Sequence, residues 1–156
     1  MKRLLRGAVA GAAATAPMSA VMVGAKKFGL MGGMPPEKIT AKVLRRSGNR
    51  PSPQQQDALA TVFHFAFGTA AGAAFGVVAP KRLAARVPLG VAYGASIWGV
   101  SYMGWVPAFG IMPPSHRDRR DRQVVMFAGH LVYGAVLAIL VGGVADPNGS
   151  EADPQA

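Results

Sequence analysis

Phe28-Gly29-Leu30-Met31, followed by Pro35-Pro36, occurs again further along the chain as Phe109-Gly110-Ile111-Met112, followed by Pro113-Pro114. Each copy follows an uncharged apolar stretch and leads through a basic segment into another apolar stretch. Since the motif recurs at the same place between two apolar stretches, it predicts a chain built from two tandem helical hairpins.

The apolar stretches are free of Lys, Arg, Asp and Glu over residues 7–25, 58–80, 87–116 and 123–145. Each is about as long as the ~20 residues that a helix needs to cross ~30 Å of hydrocarbon. A soluble helix would instead show a polar face at every turn. We therefore predict an all-α fold, a polytopic membrane bundle of four transmembrane helices.

The charge distribution favours a membrane over nucleic acid as the partner of this basic chain. The net charge is +10, but the basic residues lie between the apolar stretches, where they would meet anionic lipid headgroups. The chain contains no cysteine, which excludes disulfides, thiolate metal sites and covalently attached c-type haem.

The N-terminal segment allows two interpretations. Residues 1–6 and the run of small apolar residues after them resemble a secretory signal peptide. However, the run aligns with the internal stretch 90–106, which also begins with Gly-x-x-x-Gly and ends at the Phe-Gly motif. We therefore interpret it as a spanning helix, with cleavage as the open alternative.

The domain prediction is a single membrane domain, 1–145, followed by a disordered acidic tail, 146–156. The domain divides into repeat one, 2–80, and repeat two, 87–145. The link 81–86 is short enough to require a tight turn, so both hairpins have the same orientation and form a parallel repeat.

The orientation in the membrane follows from the distribution of Lys and Arg. Eleven of these residues lie in the connections 26–57 and 113–122, against six on the other side. The excess predicts cytoplasmic connections and external termini.

Local signals mark the connections between the apolar stretches. Residues 37–46 predict an amphipathic helix, either at the headgroup level or as a solvated connector, which Gly48 would end in a left-handed conformation. Ser52-Pro53-Gln54-Gln55 predicts a capping box at the start of the next helix. Residues 115–118 are its counterpart in the second half, and the pairs Arg117/Asp121 and Asp118/Arg122 are interpreted as a solvated helix end.

Rows of small residues predict close contacts between helices. Such rows let backbones approach each other in lipid, either within one chain or between chains, so that a homo-oligomer or other membrane subunits are expected partners. The glycines assigned to this role are Gly7, Gly11, Gly68, Gly72, Gly76, Gly90, Gly94 and Gly134.

Aromatic residues and prolines add further expectations for the spanning helices. Tyr102 and Trp105 lie near the loop side and are expected in an aromatic belt, whereas Trp98 is expected to be packed. Pro17 and Pro107 are candidates for helix kinks.

Two histidines are the chemically interesting residues, since ionisable groups inside membrane helices are functional candidates. They occur in matching contexts, His64-x-x-Phe67-Gly68 and His130-x-x-Tyr133-Gly134. One interpretation is structural, with each imidazole bonded to a neighbouring helix. The others are ligation of haem b by His64 and His130, or a proton relay, metal site or polar substrate contact. Two histidines alone make an incomplete metal site.

Several motifs together resemble the YagU-like family of bacterial inner-membrane proteins. They are Ala16-Pro17-Met18, Pro35-Pro36-x-x-Ile39-Thr40 and Ser101-Tyr102-x-Gly104-Trp105-x-Pro107, together with the two histidine motifs. The resemblance implies a multi-pass protein of the bacterial inner (plasma) membrane and supplies neither a catalytic residue nor a mechanism.

The functional prediction is a non-enzymatic accessory or scaffold subunit that packs through its glycine-rich helix faces, because no arrangement of nucleophile, base and oxyanion donors occurs in the sequence. The alternatives are a b-type haem electron carrier that uses His64 and His130, and a small oligomeric transporter or channel.

Overall fold

The computed structural model describes residues 1–31, 35–48 and 52–143, and over these residues the chain is helical without strands. The long helices are α1 (Lys2–Lys27), α3 (Pro53–Val78), α4 (Leu83–Gly99) and α6 (Arg120–Gly143). A π-helical segment, Val100–Trp105, and the short helix α5 (Val106–Ala108) extend α4, and α2 (Pro35–Arg46) connects α1 to α3.

Four helices are long and apolar enough to cross a membrane: α1, α3, α6 and the continuous stretch Leu83–Ala108. This confirms the predicted all-helical chain with four candidate spans. The predicted acidic tail, 146–156, lies outside the described residues.

The first Phe-Gly motif ends α1. Gly29 has φ 72°, and its N–H donates to the Lys26 carbonyl at 3.1 Å, while the Leu30 N–H donates to the Ala25 carbonyl at 3.0 Å. These two bonds form a Schellman turn, which requires a left-handed residue and therefore favours glycine.

The second Phe-Gly motif makes the same turn after α5. Gly110 has φ 63°, and the bonds run from Gly110 to Pro107 at 2.9 Å and from Ile111 to Val106 at 3.1 Å. The methionine that follows each turn, Met31 or Met112, is 4% exposed. Both copies thus stop a helix and return the chain to the core.

Helices α1 and α3 are antiparallel and touch through glycine. A Cβ atom added to Gly72 would lie 2.5 Å from Gly11 Cα, and one added to Gly7 would lie 2.9 Å from Gly76 Cα. One added to Gly68 would collide with the Thr15 side chain. The backbones are therefore close enough that only glycine fits at this contact.

Helices α4 and α6 make a similar antiparallel contact. A Cβ on Gly90 would lie 2.6 Å from the Ala138 Cβ, and one on Gly94 would lie 3.2 Å from the Gly134 nitrogen. The glycines assigned to packing thus face a neighbouring helix of the same chain.

Contacts between the two hairpins close the bundle. Helices α1 and α6 meet where Gly129 lies against Met18 and Met22. Across the opposite seam, the Tyr93 hydroxyl of α4 donates to the Ala71 carbonyl of α3 at 2.8 Å. The order around the bundle is therefore α3, α1, α6, α4, with the α3–α4 seam the most sparsely packed.

Arginines join helix ends on the side of the bundle that holds the start of α1. The Arg3 guanidinium donates to the Ala79 carbonyl at the end of α3, at 2.7 Å. Arg86, which is 8% exposed, donates through Nε to the Ala138 carbonyl of α6 at 2.6 Å. Each bond places a cation near the negative end of a helix dipole.

The helix starts on the loop side agree with the sequence in one case and differ in the other. The Ser52–Gln55 capping box is confirmed, and Gly48 has the expected positive φ of 76°. The matching start at Ser115 is wrong, because Ser115–Arg117 forms a 3₁₀ turn and α6 begins at Arg120. The Asp118 carboxylate accepts from the Arg119 N–H at 2.8 Å, which turns the chain ahead of the helix.

The π-helical segment lies just before Pro107. Proline has no N–H to donate, and the Val106 N–H reaches back five residues to the Ser101 carbonyl. Pro17, in contrast, lies within a continuous α1.

The aromatic belt predicted for Tyr102 is wrong, because this residue is 1% exposed and its hydroxyl donates to Asp118. Trp105 is half-buried and bonds Ser101.

Candidate intramembrane binding site

A cavity of about 210 Å³ lies inside the bundle and is lined by residues of all four spans and of α2. Its walls are almost entirely apolar and include both intramembrane histidines. The lining residues are Thr15, Met18, Met22, Pro35, Pro36, Ile39, Phe63, His64, Phe67, Gly68, Ala71, Ile97, Trp98, Ser101, Tyr102, Trp105, Val106, Met112, Met126, His130 and Tyr133.

His64 lines this cavity from α3 and is only partly buried. Its Nε2 atom is buried and has no hydrogen-bond partner among the described residues. A buried polar atom without a partner costs about 1–3 kcal/mol. The purely structural interpretation requires the imidazole to bond a neighbouring helix. Nε2 makes no such bond among the described residues.

His130 lines the same cavity from α6, and its Nδ1 lies 2.7 Å from the Met126 carbonyl oxygen. Because a carbonyl oxygen only accepts, Nδ1 carries the proton, and in the neutral ring Nε2 keeps its lone pair. His130 therefore has the tautomer of a histidine that binds a metal or accepts a hydrogen bond through Nε2. The bond to Met126 on its own helix sets the orientation of the ring.

Trp98 is the second cavity-lining residue with an unpaired polar atom. Its ring stacks on Tyr102, with centroids 5.5 Å apart, and meets the Phe127 ring edge-on at 4.9 Å. The Nε1 atom is buried without a partner among the described residues, although buried tryptophan N–H groups usually find one. Aromatic packing therefore fixes this donor without satisfying it.

The end of the cavity nearest the termini is closed by polar contacts to the backbone. The Tyr133 hydroxyl donates to the Gly68 carbonyl at 2.6 Å, and the Thr15 hydroxyl donates to the Gly11 carbonyl at 2.8 Å. These two hydroxyls therefore have hydrogen-bond partners, in contrast to the buried nitrogens of His64 and Trp98.

Helix α2 lies over the opposite, loop-side end. Its Pro35, Pro36 and Ile39 line the cavity, and a salt bridge of 3.0 Å between Lys26 and Glu37 ties α2 to the end of α1. The amphipathic segment is therefore a cover over the cavity, a role that its sequence pattern did not indicate.

The side of the cavity next to the α3–α4 seam reaches the apolar surface of the bundle. Phe63 and Phe67 both line the cavity and are each 50% exposed. In a membrane this exposed area lies against acyl chains, so the cavity adjoins the bilayer through two phenylalanines.

A buried cluster of Asp118, Arg122 and Tyr102, which the sequence did not indicate as a whole, supports the loop-side wall. The Asp118 carboxylate accepts from the Tyr102 hydroxyl at 2.6 Å and pairs with Arg122 at 2.8 Å. The two charged side chains are only 3% and 10% exposed, so the predicted solvated helix end is wrong for this pair. The other predicted pair differs as well, since Asp121 lies 3.5 Å from Arg119.

The i, i+4 spacing of Asp118 and Arg122 was the available signal for this cluster. It correctly indicated the pair, but it contained no information about the tyrosine of α4 that covers it.

Histidine binds metal ions and haem iron, so both groups are candidates for this cavity. The described residues contain no group of three or more His, Cys, Asp or Glu placed to hold a metal ion. A cavity of about 210 Å³ lies below the ~300–1,000 Å³ of pockets for drug-sized ligands. It therefore favours a ligand smaller than a porphyrin, and ligation of haem by His64 and His130 stays a prediction that would require the helices to move apart.

Comparison with known proteins identifies the family and no characterised relative. The chain belongs to DUF6789, a family of unknown function, whose model matches residues 1–151. No curated protein and no solved structure matches the chain.

Proposed function

We propose that this member of DUF6789 is a non-enzymatic, multi-pass accessory protein of the bacterial inner membrane that binds a small lipophilic molecule in the histidine cavity. The observation that carries this proposal is the cavity itself, which all four candidate spans line and in which two side chains carry unpaired nitrogens. An interior of this kind is typical of ligand sites, which combine apolar walls with few polar groups.

The glycine contacts favour a protein that encloses a ligand over a protein that binds partners through its helix faces. Gly7, Gly11 and Gly72 pack within one chain, so they hold the walls of the cavity in place. A scaffold role through contacts between chains would have to use the exposed apolar residues outside these rows. Homo-oligomers and complexes with other membrane subunits stay predictions.

The tandem repeat is part of this proposal. Both halves contain Arg-x-x-x-Gly-x-x-x-Gly, at residues 3–11 and 86–94, and a Phe-Gly motif that ends a helix in a Schellman turn. Two hairpins related in this way would each contribute one histidine to the cavity, at matching depths. The cavity would then lie near the interface of the repeats, as in membrane transporters built from repeats.

Entry from the bilayer supports a lipophilic ligand. The seam between α3 and α4 is the most sparsely packed one, and half-exposed Phe63 and Phe67 lie beside the cavity. A ligand dissolved in the membrane would reach the site by moving between these helices, without crossing the charged loops.

The test is whether the purified protein retains a ligand. The protein is isolated from its native membrane in mild detergent, and its organic extract is analysed by mass spectrometry. Ile97→Trp fills the cavity, because Ile97 lines it. Val100→Trp on the same helix is the control, because Val100 is 68% exposed.

We expect a lipophilic compound in near-equimolar amount in the wild type and in Val100→Trp, and its loss in Ile97→Trp. Thermal unfolding of both variants checks that each is folded. Identical extracts from the three folded proteins would contradict the proposal.

The rival functions have direct tests on the same preparation. Haem bound by His64 and His130 requires a Soret band that is lost on His64→Ala or His130→Ala. An oligomeric transporter or channel requires flux through reconstituted vesicles.

A further inference from the structure

We propose that the ligand is a quinone or its quinol, with the ring in the cavity and the lipophilic tail leaving between α3 and α4. This inference rests on the proposed function, because it specifies the ligand of the same site. Four features support it: the size of the cavity, the shape of its walls, the lack of charged residues in its lining, and the unpaired nitrogens of two lining residues.

The size of the cavity suits one substituted six-membered ring. An engineered cavity of ~150 Å³ in another protein binds benzene, and the cavity here is somewhat larger, about 210 Å³. One wall is the stacked pair of Trp98 and Tyr102, whose planes lie within 18° of each other. A flat aromatic wall favours a flat ring.

The absence of charge excludes the common anionic amphiphiles. None of the described residues that line the cavity is Lys, Arg, Asp or Glu. A carboxylate or phosphate headgroup would therefore be buried without a counter-ion, at a large cost in free energy. The ligand must be neutral, and an acyl chain would leave the wall nitrogens unpaired.

The unpaired nitrogens match carbonyl oxygens. The Trp98 N–H can only donate, and it lacks an acceptor among the described residues. The His64 ring also has an unpaired Nε2, and neutral imidazole donates from one nitrogen and accepts at the other. Both residues line the cavity, although the two nitrogens are themselves buried in its wall. Rotation of the imidazole and indole rings would therefore be needed to bring the nitrogens to the carbonyl oxygens of a bound ring.

The two histidines extend this match to the reduced ligand. A quinol presents O–H donors where the quinone presents acceptors. His130, with its proton held on Nδ1 by the Met126 carbonyl, offers a lone pair to such a donor, and His64 changes tautomer to do the same. The site therefore accepts both redox forms, and no electron transfer has to be invoked.

The experiment compares two ligands that have the same alkyl tail on a six-membered ring, one with two carbonyl oxygens and one without oxygen. The full-length protein in detergent micelles is titrated by calorimetry with a decyl-substituted benzoquinone and with a decyl-substituted benzene. We expect the quinone to bind roughly tenfold or more tightly than the arene, as expected for two hydrogen bonds.

Substitutions assign the difference to the two nitrogens. Trp98→Phe and His64→Leu should each weaken quinone binding about fivefold and leave arene binding unchanged. His64→Gln should restore part of the loss. His116→Leu is the matched control for His64→Leu, because His116 is exposed and does not line the cavity.

Folding is verified by thermal unfolding without ligand. His64→Leu removes an unpaired buried nitrogen, so its midpoint should equal or exceed that of the wild type. A folded His64→Leu variant with full quinone preference would overturn the assignment of His64.

The outcomes separate this inference from the proposed function. If quinone and arene bind equally well to the wild type and neither binds to Ile97→Trp, the cavity binds lipophilic molecules but the quinone inference is wrong. If neither ligand binds to the wild type, and no compound is retained from the native membrane, both proposals fail.

Discussion

Asp118 lies just ahead of α6 and Asp121 lies in its first turn, and their surroundings differ. Asp118 is 3% exposed and pairs with Arg122, which is 10% exposed. Asp121 and its partner Arg119 are 56% and 57% exposed, with 3.5 Å between the charged atoms. Removal of one partner from a buried pair leaves an uncompensated charge, whereas an exposed pair contributes little.

We expect Asp118→Asn to lower the free energy of unfolding by about 3–5 kcal/mol. The control Asp121→Asn should lower it by less than about 1 kcal/mol. The measurement is thermal unfolding of both variants in detergent, monitored by circular dichroism. Equal effects would mean that the Asp118–Arg122 pair is not shielded from solvent as described.

The free energy of unfolding should depend on pH through Lys38 of α2, because folding changes the pKa of this residue. Partial burial and the nearby Arg122 lower the pKa of its ammonium group from the ordinary 10.5, against the opposite influence of Asp118 and Glu37. The folded chain therefore releases this proton at a lower pH than the unfolded chain. Between the two pKa values the unfolded chain binds more protons, so the free energy of unfolding rises with pH.

We expect Lys38→Met to flatten this rise as the pH approaches 10.5 from below. Lys42→Met, one turn further along α2, controls for the loss of a charge from the same helix. The measurement is the unfolding midpoint as a function of pH. An unchanged slope in Lys38→Met would contradict this assignment.

At the scale of the elements, the glycine contact between α1 and α3 determines how closely two helices approach. A Cβ on Gly72 would lie 2.5 Å from the Gly11 Cα, a backbone atom that cannot rotate away. Gly24, on α1, has no atom within 4 Å of an added Cβ. The same substitution should therefore have opposite effects at these two positions.

We expect Gly72→Ala to lower the free energy of unfolding by about 1–3 kcal/mol through overpacking. Gly24→Ala should raise it by about 0.5–1 kcal/mol, because alanine loses less backbone entropy in a helix. Thermal unfolding of the two variants in the same detergent is the measurement. A stable Gly72→Ala would show that α1 and α3 are further apart than described.

The helices themselves were largely predictable because their signals are local. Charge-free stretches indicated the spans, the Phe-Gly motif indicated where two of them end, and Ser52 indicated where α3 begins. The arginine that precedes each Gly-x-x-x-Gly was also present in the sequence. It was interpreted only as a flanking charge, since the carbonyl that Arg86 bonds lies on a helix 52 residues away.

At the scale of the whole molecule, the cavity was not predictable from these local signals. It depends on which helices become neighbours across the two hairpins, and no motif specifies that α1 lies against α6. The matching contexts of His64 and His130 did indicate two related positions. Only the packed bundle places Trp98 in the lining of the same cavity and leaves its N–H unpaired.

The position of the cavity in the membrane depends on a topology that single cysteines can test, since the chain has none of its own. Ser47 and His116 are exposed at one end of the bundle, and Lys2 and Ala84 at the other. Four crossings place the two groups on opposite sides, and the excess of Lys and Arg predicts that the first group is cytoplasmic.

We therefore expect an impermeant thiol reagent to label Lys2→Cys and Ala84→Cys in intact cells, and to label Ser47→Cys and His116→Cys only after permeabilisation. The reverse pattern would keep the hairpins but invert the bundle, and the cover formed by α2 would then lie outside. Labelling of Ser47→Cys together with Ala84→Cys would mean that α3 does not cross the membrane. The proposed ligand could then not reach the cavity from the bilayer through the α3–α4 seam.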